Sequence, residues 1–112
     1  MQTVIHVLSE DEVEQKTALA IARNLLEDES GSIDEIAVVV QAGGINAIRA
    51  DGDLGEQVRA LLADDVPFRA CRNTLGARDM DESDLVDGVE TVPEGAVEVT
   101  GLQNEGYAYI RP

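Results

Sequence analysis

The chain is poor in the residues that staple or ligate: it has one cysteine, one histidine, no tryptophan, two tyrosines and one phenylalanine in 112 residues. A single cysteine forms no intramolecular disulfide and supports no metal site built from clustered cysteines, so no metal and no cofactor is expected. Such usage fits a reducing compartment. Basic residues are also scarce, 8 against 23 acids for a formal charge of −15, and Lys16 is the only lysine. Binding to nucleic acid phosphates or anionic lipid depends on basic contacts, so neither partner is expected. No run approaches the eighteen apolar residues of a membrane span, and the strand-like TVIHVL follows Met1 almost at once with acids behind it. The expectation is a cytoplasmic protein without a signal segment.

What is present is apolar content, 44%, arranged in periodic blocks. That argues for a folded domain over a disordered acidic chain. A folded surface with this self-repulsion gains from concentrated salt, which screens it, so the composition points to a halophilic source. Most acids are then read as solvated surface.

The periodicities alternate in type. TVIHVL reads as a strand ending in Ser9, a candidate N-cap with Glu12 three residues on, and Ala18, Ile21, Ala22, Leu25 and Leu26 form one helical face over residues 10 to 28. IAVVVQ at 36 to 41 is apolar without alternation, as in a strand covered on both faces. After Gly43 and Gly44 come a short helical piece, a helix at 54 to 63, a third strand from Val66 to Cys71 and a helical turn from Asn73. Another short turn falls at Ser83 to Val86. Val89 to Val92 is a fourth strand, Pro93 suits the first turn of a helix at 94 to 105, and YAYI is the fifth strand. This alternation predicts an α/β sandwich with a mainly parallel five-stranded sheet in one domain, residues 1 to 112.

In such sheets, chemistry gathers beyond the carboxyl ends of the strands. Cys71 ends one strand within FRACRNTLGARD, flanked by Arg69 and Arg72 and followed by a helix start. Cations and helix N-termini favour the thiolate, and alternation puts Arg69 and Cys71 on one face. Equally, free cysteine is among the most buried residue types, so an inert core thiol stays open. His6 lies between Ile5 and Val7 and reads as a strand-face histidine, which leaves a Cys-His hydrolase poorly supported. Carrying sulfur needs only an accessible thiolate.

QAGGIN, with Gln41, Gly43 and Gly44, is a cleft loop but not a nucleotide-binding motif, and a tight, closely packed turn is the simpler role for its glycines. The acids at Asp79, Asp81, Glu82 and Asp84 miss the calcium-loop pattern. Three functions stay in play: sulfur transfer, an oligomeric binding module for a protein or small anion, and flavodoxin-like nucleotide binding.

FRACRNTLGARD, DLVDGVETVPEGAVEV and the ending LQNEGYAYIRP, in that order behind VIHVLSEDE and ARNLLEDE, resemble the DsrE/DsrF-like family of small sulfur-relay proteins. The resemblance implies a three-layer α/β/α fold, trimers or hexamers, and a persulfide on the strand-end cysteine, here Cys71, exchanged with sulfur donor and acceptor proteins. It gives Asn73 and Thr74 a supporting role in the loop beside Arg69 and Arg72. Many relatives carry His-Gly-x-Gly after the second strand; this chain has Gln41-Ala42-Gly43-Gly44, so an acid-base role at that place is absent.

Overall fold

The structure, a computed structural model, describes residues 1–112. Five strands, β1 (Gln2–Val7), β2 (Glu35–Val40), β3 (Phe68–Cys71), β4 (Glu90–Val92) and β5 (Ala108–Ile110), alternate with helices α1 (Glu12–Leu26), α2 (Gly55–Ala63), α3 (Arg72–Ala77) and α4 (Gly95–Asn104). A 3₁₀ helix at Ala42–Ile48 and a 3₁₀ turn at Glu82–Asp84 complete the connections. All four strand pairings are parallel, in the order β4-β3-β2-β1-β5. The expected α/β/α sandwich is therefore present, with a sheet that is wholly parallel.

The order explains the layers. Steps from β1 to β4 all move one way across the sheet, so right-handed crossovers put α1, α2 and α3 on one face. The last connection must return past the whole sheet to lie beside β1, and the same handedness forces α4 onto the other face. Packing follows: 21 buried residues, from Ile5 and Val38 to Phe68 and Leu75, fill the first layer. Under α4 only Val4, Ala37, Val39, Val99 and Leu102 cluster. The apolar run of β2 is covered on both sides, as its composition requires.

Two local expectations are corrected. Ser9 does not cap α1; its Oγ accepts the Asp11 N–H at 3.0 Å, a turn that delays the helix. Asp11 is the N-cap, accepting from the N–H groups of Val13 at 2.8 Å and Glu14 at 3.3 Å. Likewise Pro93 stands before α4, and Glu94 caps it by accepting the Ala96 N–H at 3.3 Å.

Candidate functional site

Cys71 ends β3 and stands at the N-cap position of the six-residue α3, its side chain accepting no cap hydrogen bond from the helix. Pairing sets Arg69 opposite Glu90 and Cys71 opposite Val92. Alternation turns both Arg69 and Cys71 to the α4 face, as the sequence predicts. The thiol is 1% exposed. Its polar neighbour is a carboxylate: Sγ lies 3.9 Å from Glu94 Oε1, at the start of α4.

Arg69 binds Glu98 at 3.1 Å and Glu90 at 3.8 Å, fastening α4 and β4 to β3. Arg72 is exposed and makes no ion pair. Asn73 and Thr74 brace the surrounding loops. The Asn73 N–H donates to the Pro93 carbonyl at 3.3 Å, and Thr74 Oγ1 accepts the Ala42 N–H at 3.0 Å. Thus the segments after β2, β3 and β4 are tied together around the sulfur.

Gly95 allows this convergence. A Cβ there would stand 2.6 Å from Gln41 Oε1 and 3.3 Å from Cys71 Cβ, so only glycine lets α4 start this close to the β2 and β3 ends. Gly43 and Gly44 serve another contact. Added Cβ atoms would meet Glu10 at 2.7 Å and the Val7 carbonyl oxygen at 2.1 Å, which makes them packing glycines against the β1 exit. Gln15, 3% exposed, locks that exit by donating to the carbonyls of Ser9 at 2.9 Å and Gly43 at 3.3 Å.

Sequence reasoning underrated His6. It is the penultimate residue of β1, 7% exposed, and its ring is held at both nitrogens, by Tyr109 Oη at 2.7 Å and Gln41 Oε1 at 2.7 Å. Burial pushes the imidazole below its usual range, against the raising effect of the Gln41 bond, with Arg111 lowering it further. Tyr109 and Glu94 lie within the quoted motifs, yet their places beside His6 and Cys71 follow only from the return of β5 beside β1 and the landing point of α4. The pair His6 and Tyr109 marks the topological switch between β1 and β5, where ligands gather in open parallel sheets.

No three histidine, cysteine or acidic side chains converge with metal-binding geometry, and no helix is long and apolar enough to cross a membrane. A cleft of about 400 Å³ at the opposite, amino-terminal edge of the sheet is lined by Leu25, Ile33, Glu35, Asp64, Arg69 and Tyr107 among others, remote from the strand-end sulfur.

Fold and site together define a parallel α/β sandwich with one strand-end thiol gathered under a helix start. Residues 2–112 match the DsrE/DsrF-like family, and the chain belongs to it. Among solved structures it is similar to MTH1491 of Methanobacterium thermoautotrophicum, a protein of unknown function, at 37% identity and a TM-score of 0.92, covering 99% of this chain and 98% of that one. BT1422 of Bacteroides thetaiotaomicron, also of unknown function, shares 12% identity with a TM-score of 0.79, over 99% of this chain and 94% of its own. YchN of E. coli shares 20% with a TM-score of 0.77 over the full length of both. The last two likenesses concern the fold alone. Curated proteins give no match.

Proposed function

We propose that this member of a sulfur-relay family is a cytoplasmic sulfur carrier. Cys71 accepts sulfane sulfur from a persulfide donor and passes it to a thiol on a partner protein, within a homotrimer or homohexamer. The observation that supports this best is the position of the only thiol, where the segments after β2, β3 and β4 meet beside Glu94. In loading, Glu94 takes the thiol proton and the sulfur of Cys71 attacks the outer sulfur of R–S–SH. The donor S–S bond breaks, R–S⁻ leaves with the electron pair, and it collects the proton from Glu94. In unloading, an acceptor thiolate attacks the outer sulfur of Cys71–S–SH and the Cys71 thiolate leaves. Neither step needs a redox partner.

With 1% exposure, Cys71 meets a donor only when the Glu94 turn moves aside. That same burial favours a second reading, an oligomeric binding module of this fold with an inert Cys71. Assembly itself is supported by the thinly covered α4 face, where Val97 is 69% and Tyr109 40% exposed.

Intact mass in concentrated salt, before and after a persulfide donor, separates the readings. A reductant-reversible gain of one sulfur atom, absent from Cys71→Ser, is the expected result. No gain in folded protein with any donor tried abandons the carrier in favour of the binding module. Light scattering that finds a monomer at low and high salt refutes the assembly.

A further inference from the structure

The groove between α1 and α2 breaks the charge pattern of the rest of the surface. Residues 15–26 and 57–63 hold no acid, in a chain where 23 of 112 residues are acids. Helical spacing gathers Lys16, Leu19, Ala20 and Arg23 on one side of α1. The same spacing sets Gln57, Ala60 and Leu61 on the facing side of α2. Together they line a cavity of about 300 Å³. Its charge comes only from bases, and one of the two is the only lysine of the chain.

Floor and walls differ in kind. Leu19 and Leu61 are buried and close the base against the core, whereas Ala20 and Ala60 are exposed and too small to fill the space between the helices. Val13, 71% exposed, stands seven residues before Ala20, two turns back along the same face. It carries the apolar surface past Lys16. At the rim Glu12 lies 3.8 Å from Lys16 and Asp64 lies 2.8 Å from Arg23. Neither carboxylate lines the groove, and exposed pairs of this kind are weak enough to exchange for another carboxylate.

Positions seven apart on a helix are separated by about 10 Å along its axis. Lys16 and Arg23 therefore match two carboxylates at the same spacing on a second helix, whose apolar side chains would lie between them over Leu19 and Leu61. We infer that this groove docks an acidic amphipathic helix of a partner protein, with carboxylates at i and i+7 and apolar residues at i+3 and i+4. A formal charge of −15 repels such a helix over most of the surface, so the two cations select both the place and the register of docking. The inference is independent of the carrier reading, because α1 and α2 cover the sheet face opposite the one to which Cys71 turns. Docking here does not cover the thiol.

The probe is a rhodamine-labelled peptide in a helix-favouring alanine background, with glutamates at i and i+7 and leucines at i+3 and i+4. A second peptide carries glutamines in place of the glutamates. Fluorescence anisotropy in about 0.1 M KCl, where exposed charges still act over about 10 Å, measures binding to the full chain. The proteins are wild type, Lys16→Glu, Ala60→Leu and Cys71→Ser, each checked by circular dichroism and light scattering.

Wild type is expected to bind the glutamate peptide roughly tenfold tighter than the glutamine peptide, against the sign of its overall charge. Lys16→Glu removes that preference, Ala60→Leu fills the groove and weakens both peptides roughly tenfold, and Cys71→Ser binds like wild type. Equal or tighter binding of the glutamine peptide overturns the inference, as does an Ala60→Leu protein that binds like wild type. Absence of any anisotropy change at millimolar protein overturns it too. A fall in oligomer mass in Ala60→Leu would show that the groove holds a second copy of the chain instead.

Discussion

Replacing Gly95 with alanine tests the close approach on which the whole site depends. The new methyl would stand 2.6 Å from Gln41 Oε1, 3.0 Å from its Cδ and 3.3 Å from Cys71 Cβ. The first two distances demand movement. The atoms to be moved belong to a side chain pinned by His6, so its hydrogen bond, worth about 1 kcal/mol net, is lost or α4 lifts from β3. Overpacking adds about 1–3 kcal/mol. Against this, alanine gains up to about 1 kcal/mol of helix propensity over glycine. The net expectation is a loss of about 1–3 kcal/mol, or a fall in Tm of roughly 4–13 °C for a domain near this size.

Gly101→Ala is the control, because it lies in the same helix with nothing within 4 Å of the added atom. It should raise stability by about 0.4–1 kcal/mol. In a Gln41→Ala background the Gly95→Ala cost should shrink, since the clashing atoms are gone and the two sites couple directly. Urea unfolding of the four proteins and the double variant measures all of this. A Gly95→Ala protein as stable as Gly101→Ala, or a cost unchanged when Gln41 is removed, refutes the close-approach argument.

Three further outcomes are expected. His6 is held neutral below its ordinary range, so the unfolded chain takes its proton first. Stability from this group is complete above about pH 6.5 and is lost as pH falls through the folded value. The urea midpoint of wild type should therefore drop more between pH 7.5 and 5 than that of His6→Gln, and parallel curves would contradict it. The Tyr107 phenol donates to Glu35 Oε2 at 2.5 Å, and that bond, with burial and the Glu35 charge, pushes it up to about 12. Ultraviolet titration should show its ionisation only near that pH, lost in Tyr107→Phe, with its stability contribution present below pH 10 and vanishing above. Finally, 23 acids face 8 bases and few of them are paired, so Tm should rise steadily from low salt to molar KCl. A flat response would remove the argument for a halophilic surface.

The site was legible in part. Cys71 at a strand end and Arg69 on its face follow from alternation in short windows of sequence, while the supporting place of Thr74 came from the family resemblance. The partner of the sulfur does not, because Glu94 lies 23 residues further on, and its approach depends on where α4 lands. His6 looked like a strand-face residue since local pattern says nothing about which strand will stand beside it.

Sequence by itself determined the element types, the burial of β2, the lack of an intramolecular disulfide and the acidic surface, all of which are local or compositional properties. Tertiary structure alone decided that β5 returns to pair with β1, because right-handed crossovers turn strand order into layers only once the chain is closed. That return put α4 alone on its face, brought Tyr109 to His6, and set Gln41, Glu94 and Cys71 around the missing side chain of Gly95.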